Sequence, residues 1–183
     1  MAAMLVLPDA AYKDSFADAL TEGMNATPAT QDEINWVRED FADWLRASRD
    51  MTRRIVLPDG TQVPRVPDTD YWLVEGKRFI GRATLRHHIN AHLEIDGGHI
   101  GYAVRKSERG KGYGKQILLH CLPKAAGLGI EKVLLTCAED NMHSVRIIEY
   151  AGGILQDIIT PPWGGHRMRR YWINTQQQEG ISS

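Results

Sequence analysis

One glycine-rich segment of the sequence combines residue types that could bind a phosphorylated ligand. Gly110, Gly112 and Gly114 stand at alternate positions, so a ligand could approach the backbone N–H groups without meeting Cβ atoms. An apolar run at 100–104 precedes the segment and an amphipathic run at 116–126 follows it, which predicts a strand, a turn and a helix. The unpaired N–H groups and partial positive charge at the start of such a helix favour a phosphate or pyrophosphate. Positive charge in the same turn comes from Arg109, Lys111 and Lys115.

The spacing of these residues separates the known phosphate-loop patterns. The Walker pattern needs Ser or Thr after Lys115, where Gln116 stands, and a glycine where Arg109 stands. The dinucleotide pattern G-x-G-x-x-G has Lys115 in place of its third glycine. The pattern [RQ]-x-x-G-x-[GA] does fit, as Arg109-x-x-Gly112-x-Gly114. In this form the segment resembles the pyrophosphate loop of the GNAT superfamily of N-acetyltransferases, although a plain glycine turn is the alternative for so short a motif.

The order of predicted elements extends this resemblance over about residues 4–173. Periodicity predicts a strand, two helices, three strands, a helix, a strand, a helix and two final strands. Asn141-x-x-Ser144, followed by Glu149-x-x-Gly152, is similar to the second signature of the family. The resemblance implies an α/β (α+β) acyltransferase fold. It has a central, mixed but mostly antiparallel sheet of about seven strands, splayed central strands and about four flanking helices.

Several expectations concern how the chain is divided. We expect one domain over residues 1–183, with a polar tail at 174–183 that frays. The apolar stripe that begins near residue 30 predicts one helix ending near Ser48. Residues 57–68 contain three prolines and an Asp-Gly turn, and they are predicted to form a loop.

Composition limits the classes of function. The chain of 183 residues is 43% hydrophobic and carries a net charge of −1, so no strong global field would recruit nucleic acid or an anionic membrane. The absence of a long apolar run or a charged leader predicts a cytoplasmic protein. Cys121 and Cys137 lie in apolar runs and are expected to be buried, reduced thiols. Their spacing does not match a zinc site, so no metal is predicted.

The resemblance implies acetyl-coenzyme A as cosubstrate. The strand before the loop and the strand after the next helix would splay apart and admit the pantetheine arm. Val104 would then bond to pantetheine through its main chain, and Asn141 through its side-chain amide. A helix cap is the alternative for Asn141, and the two roles are compatible. The pyrophosphate would be held by Arg109, Gly110, Lys111, Gly112, Tyr113, Gly114 and Lys115.

The implied reaction is direct attack of a neutral amine on the thioester, which needs a base. In many relatives a carboxylate opens the strand that enters the glycine loop, and here His99 stands at that position. His99 is therefore the first candidate base and Glu94 the second, with packing against a backbone carbonyl as the alternative for His99. The family's usual acid is a tyrosine where this chain has Ile148, and Tyr150 should face away. His87, His88 and His92 are expected to be solvated.

The sequence therefore predicts an N-acetyltransferase that acts on the primary amine of a small molecule. Acetylation of a protein terminus or lysine is the alternative within the fold. A non-catalytic acyl-coenzyme A-binding regulator is the alternative from another class, because the usual tyrosine is missing. Exposed final strands in this fold often pair between subunits, which makes a homodimer a candidate assembly.

Overall fold

The computed structural model describes residues 2–24 and 28–176 of the chain. The strands in these residues are β1 (Met4–Val6), β2 (Arg54–Val56), β3 (Gln62–Pro64), β4 (Asp68–Glu75), β5 (Arg78–Arg86), β6 (Ile100–Val104), β7 (Lys132–Ala138), β8 (Ile154–Ile159) and β9 (Met168–Asn174). The helices are α1 (Lys13–Thr21), α2 (Gln31–Glu39), α3 (Phe41–Ser48), α4 (Ala91–Ile95), α5 (Tyr113–Gly127) and α6 (Met142–Tyr150). Within the described residues, no helix combines the length and apolar character needed to cross a membrane.

The strands form two larger sheets and one small hairpin. The four-stranded sheet has the order β1-β4-β5-β6, and the three-stranded sheet has the order β7-β9-β8. Together these two sheets contain seven strands, and β2 pairs with β3 separately. The strand before the glycine turn, β6, and the strand after α5, β7, thus belong to different sheets, as the predicted separation of central strands requires.

The described residues group into two compact units, and the first is built around an aromatic cluster. This unit comprises residues within Met1–Asp50, Asp70–Ala83 and Tyr102–Ile117. Phe16 of α1 stacks on Trp72 of β4, with 4.5 Å between ring centroids, and meets Phe79 of β5 edge-on at 5.0 Å. Such contacts add to the free energy gained by burying the rings. They fix α1 against the sheet that leads to the glycine turn.

The second unit comprises residues within Met51–Thr69, Thr84–Gly101 and Leu118–Ser183. β7 and β9 pair antiparallel, with Leu134 opposite Trp172 and Leu135 opposite Tyr171. Apolar side chains of β7, β9, α5 and α6 are buried in this unit, among them Val133, Leu134, Leu135, Leu118, Leu122, Val145, Ile148 and Ile173. The prediction of one domain over residues 1–183 stays a prediction.

Two local predictions were wrong for identifiable reasons. The helix expected to reach Ser48 is two helices, because Asp40 leaves helical geometry and its side chain accepts from the Asp43 N–H at 3.0 Å, which caps α3. The predicted loop at 57–68 contains β3, although its Asp-Gly turn is present. Fraying of the tail at 174–183 stays a prediction; at its start Thr175 is buried, and its hydroxyl donates to the Ile130 carbonyl at 2.7 Å. Residues 177–183 lie outside the described part of the chain.

Candidate active site

The glycine turn between β6 and α5 lies within the first unit and has an open outer surface. A short 3-10 turn, Lys106–Glu108, precedes it, and α5 begins at Tyr113. Gly110 and Gly112 have φ values of +79° and +85°, a region that L side chains rarely adopt. A Cβ atom on either residue would meet no atom within 4 Å. The backbone here is therefore exposed to whatever approaches the start of α5.

A row of backbone donors crosses this surface. Among the described residues, no acceptor is found for the main-chain N–H groups of residues 110–114, and the first bond of the helix runs from Gln116 N–H to the Gly112 carbonyl. The free N–H groups at the start of a 15-residue helix carry partial positive charge. The arrangement can bind an anion such as a phosphate without any charged side chain.

Two basic side chains of the turn are already bonded to the protein. The Arg109 guanidinium donates to the Val104 and Met24 carbonyls, each at 3.2 Å. The Lys111 ammonium lies 3.0 Å from the carboxylate of Glu108, whose side chain is 2% exposed. Their predicted contact with pyrophosphate stays a prediction and would require these bonds to be shared. Lys115 is half-buried in the first turn of α5.

Val104 and Asn141, the two residues predicted to bind pantetheine, each lie at the end of a regular element. Val104 ends β6, which among the described strands is at the edge of its sheet. Asn141 caps α6, because its side-chain oxygen accepts from the Ser144 N–H at 3.2 Å. The cap uses only the oxygen of the Asn141 amide, which leaves the NH₂ group for a ligand. Binding of pantetheine by either residue stays a prediction.

A family model decides the classification. The model described as Acetyltransferase (GNAT) family matches residues 30–152. The match spans most of the chain and includes both the glycine turn and Asn141. The chain belongs to the GNAT acetyltransferase family.

Solved GNAT acetyltransferases share the fold of this chain at low sequence identity. The Salmonella typhimurium acetyltransferase yncA, solved with acetyl-CoA, aligns with a TM-score of 0.62 and 14% identity, covering 100% of this chain and 99% of that one. RimL, a ribosomal L7/L12 alpha-N-protein acetyltransferase solved with coenzyme A, aligns with a TM-score of 0.60 and 16% identity. The alignment covers 93% of this chain and 92% of RimL. A chimera of Vibrio cholerae spermidine N-acetyltransferase SpeG and hSSAT aligns with a TM-score of 0.59 and 13% identity. The alignment covers 96% of this chain and 97% of the chimera. No curated protein matched the sequence.

His99, the first candidate base of this GNAT protein, is buried and uses one ring nitrogen structurally. The ring Nδ1 accepts from the Leu134 backbone N–H at 2.9 Å, while the backbone N–H of His99 donates to the Leu134 carbonyl at 2.7 Å. The ring therefore satisfies a backbone N–H, whereas the packing alternative named a carbonyl. Because Nδ1 is an acceptor, the neutral ring carries its proton on Nε2. Burial, aided by the charge of Arg86, lowers the pKa of His99 below 6.5.

Glu94 and the three histidines expected to be solvated lie in or near α4. Glu94 is exposed, and its carbonyl accepts from Arg170 at 3.1 Å. His87 and His88 are exposed as predicted, but His92 is buried, with 8% of its surface exposed, so that prediction was wrong. His92 is buried because it lies on the inward side of α4, a short helix that was not predicted from the sequence. The roles of His99 and Glu94 as bases stay predictions.

The two cysteines are buried thiols. Cys121 and Cys137 are free and buried as predicted, and burial raises the pKa of the Cys121 thiol to about 12. A thiol with that pKa is not a nucleophile near neutral pH. In the described part of the chain, no three side chains of His, Cys, Asp or Glu gather as a metal site would require.

We predict that Gly112→Val weakens coenzyme A binding severalfold or more, because a side chain would enter the space in front of the N–H row. The matched control is Gly129→Val near the other end of α5, since Gly129 has a φ of +78° and equally open surroundings. Both changes impose similar backbone strain, and only Gly112 lies in the turn. Calorimetric affinity and melting temperature should be measured for both. Equal affinities in the two folded variants would refute the site.

A second prediction separates the base role of His99 from its bond to Leu134. If His99 is the base, kcat/KM falls in acid below pH 6.5, and both His99→Ala and His99→Asn lose about a hundredfold in rate together with that limb. If the ring serves only to accept the Leu134 N–H, the Asn side-chain oxygen can replace Nδ1. His99→Asn then keeps near-normal activity and the acidic limb, while His99→Ala does not keep its stability. In that case Glu94→Gln should be examined next as the base variant.

Proposed function

We propose that the protein is an acetyl-coenzyme A-dependent N-acetyltransferase that acetylates the primary amine of a small molecule by direct attack. The observation that carries this proposal is the row of N–H groups at residues 110–114. It lies at the start of α5 in a turn with the spacing of the family's pyrophosphate loop. Membership of the acetyltransferase family supports the type of reaction.

The residues of the turn fit the proposed cosubstrate. Pyrophosphate oxygens are acceptors, and the 110–114 row supplies donors that have no protein acceptor among the described residues. Adjacent glycines without Cβ contacts leave room for a bulky diphosphate. We infer that the main chain of Val104 and the amide NH₂ of Asn141 bind the pantetheine arm. Arg109, Lys111 and Lys115 would add charge around the same anion.

Acetyl-coenzyme A, when bound, supplies an acyl group activated as a thioester. One ammonium proton must first pass to a base, and the neutral amine then forms the new carbon–nitrogen bond. The carbon–sulfur bond breaks with coenzyme A leaving as the thiolate, and the nitrogen loses its second proton to solvent or to that thiolate. Amines of the lysine type have a pKa near 10.4, so a base lowers the cost of reaching the neutral form. We propose His99 or Glu94 for this step, the former through exchange of its bond with Leu134.

The proton for the departing thiolate has no obvious side-chain source. Ile148, at the family's usual tyrosine position, is 1% exposed and carries no acid. Tyr150 is 48% exposed on the outer side of α6. Tyr171 is buried, donates to the Glu149 carboxylate at 3.2 Å, and has a pKa raised by burial, which makes it a weaker acid. We propose that solvent protonates the thiolate or that it leaves unaided.

The acceptor is the least constrained part of the proposal. SpeG is a spermidine N-acetyltransferase and RimL acetylates a ribosomal protein, so GNAT structures with similar folds act on both classes. A small amine is our first choice, and a protein terminus or lysine is the second. The missing tyrosine keeps a non-catalytic acyl-coenzyme A-binding regulator as a third reading. A homodimer and a cytoplasmic location stay predictions; the exposed Ile154 and Leu155 on the edge strand β8 are compatible with pairing of final strands.

The deciding experiment is release of thiol from acetyl-coenzyme A across a panel of polyamines, amino-acid amines and short peptides with free termini or lysines. We expect turnover with a small amine and little with peptides. Turnover with peptides only would favour the second choice. Tight binding of acetyl-coenzyme A without turnover on the whole panel would favour a regulator.

We further predict that Tyr150→Phe retains most of its activity, because Tyr150 is 48% exposed. The matched variant is Tyr171→Phe, which removes a buried phenol and its bond to Glu149. Steady-state kinetics over pH should show near-wild-type kcat for Tyr150→Phe. A loss of about a hundredfold, the size of an acid–base effect, would show that Tyr150 is the missing acid.

A further inference from the structure

Glu22, just after α1, bonds to the entrance of the glycine turn through both carboxylate oxygens. Oε1 accepts from Arg105 Nε at 2.8 Å and lies 2.6 Å from Arg105 Nη2. Oε2 accepts from the Ser107 N–H at 3.1 Å. Nε and Nη2 of Arg105 thus form a two-pronged contact with one oxygen of Glu22, and the Ser107 N–H bonds to the other oxygen. Because charged hydrogen bonds are strong, these contacts let Glu22 hold the chain at 105–107 in one place.

Arg105 also donates hydrogen bonds to two other elements, α1 and β5. Its side chain is 11% exposed, and Nη1 donates to the hydroxyl and carbonyl of Ser15 in α1 at 3.1 and 3.3 Å. Its backbone N–H donates to the Ile80 carbonyl of β5 at 2.8 Å. Arg105 is therefore fixed to both α1 and the sheet, and the 3-10 turn that follows starts from an anchored residue.

Two further bonds anchor the rest of the turn. Arg109 donates to the carbonyls of Val104 and Met24, so the segment after Glu22 contacts the turn a second time. Glu108, which is almost fully buried, pairs with Arg78 of β5 and with Lys111. All of these bonds form within the first unit. These bonds fix the position of the N–H groups of residues 110–114 before a ligand binds.

We propose that Glu22 is a positioning residue for acetyl-coenzyme A, which fixes the entrance of the glycine turn so that the N–H groups of residues 110–114 share one orientation. This inference rests on the proposed function. A preorganised set of donors binds more tightly because less conformational entropy is lost on binding. Without the carboxylate, Arg105 loses its ionic partner and the Ser107 N–H loses its acceptor, so the entrance can move relative to α5.

The sign of the effect separates positioning from simple electrostatics. Glu22 is a negative charge close to a proposed anion site, and Coulomb's law alone predicts that its removal strengthens binding of an anion. Positioning predicts the opposite, namely weaker binding. Hydrogen bonding from Arg105 lowers the pKa of Glu22 to about 2 from 4.5. The carboxylate therefore stays charged above pH 4.5 and loses its contribution only as the pH falls towards 2, so the effect should be constant between pH 5 and 8.

The test uses Glu22→Gln, which removes the charge and keeps the shape, and Arg105→Lys, which keeps every charge but loses the two-pronged bond. The matched control is Asp18→Asn in α1, four residues before Glu22, because Asp18 pairs with a different arginine, Arg38. Coenzyme A affinity is measured by calorimetry from pH 5 to 8. Circular dichroism gives the folded fraction, by which each affinity is corrected.

We expect Glu22→Gln and Arg105→Lys to bind coenzyme A at least fivefold more weakly and Asp18→Asn to remain within twofold. KM for acetyl-coenzyme A should rise while kcat at saturation stays within about twofold. Unchanged or tighter binding in Glu22→Gln, with wild-type binding intact, overturns the inference. Failure of the wild-type protein itself to bind coenzyme A would instead refute the proposed function.

Discussion

The candidate site depends on five backbone N–H groups that have no protein acceptor among the described residues. A helix cannot bond its first N–H groups to itself, and among the described residues no backbone carbonyl accepts from residues 110–114. Unpaired donors are tolerated where water or a ligand can reach them, which the absence of any atom within 4 Å of a Cβ at Gly110 or Gly112 allows. The unsatisfied start of α5 is thus the physical basis of the ligand site. The surrounding structure keeps it open and fixed.

Two ion pairs beside the turn help to fix its geometry. Each of two cations near the turn has a protein acceptor, since Lys111 meets the buried Glu108 and Arg105 meets Glu22. A buried ion pair contributes little net stability, because desolvation offsets most of the attraction, but it fixes the positions of its members. Because Glu108 is shared between Lys111 and Arg78, and Arg109 donates only to carbonyls, positive side-chain charge remains at the turn. The ion pairs set the orientation of the N–H groups, and the remaining charge attracts an anion.

Local features of the site could be predicted from the sequence, and features that depend on distant residues could not. The glycine turn, α5 and the Asn141 cap follow from spacing over a few residues. The bond from Glu22 to Arg105 joins residues 83 positions apart, and no local pattern indicates it. Apolar residues at helical spacing continue on both sides of Asp40, so the sequence pattern did not indicate that the helix ends there. The burial of His99 could not be predicted either, because the sequence does not distinguish a buried histidine that accepts a backbone N–H from a solvated histidine that acts as a base.

Loss of the usual tyrosine at residue 148 need not abolish turnover, because the two proton transfers differ in cost. A thiol with a pKa near 8.5 is only about 1.5 units above neutral pH, so releasing it as thiolate costs about 2 kcal/mol at pH 7. An alkyl ammonium with a pKa near 10.4 lies about 3.4 units above, which corresponds to roughly 4.6 kcal/mol for the neutral amine. Removal of the ammonium proton is therefore the more demanding step. A GNAT site with Ile148 can dispense with an acid more easily than with a base, which makes the base the residue that matters most for assigning the reaction.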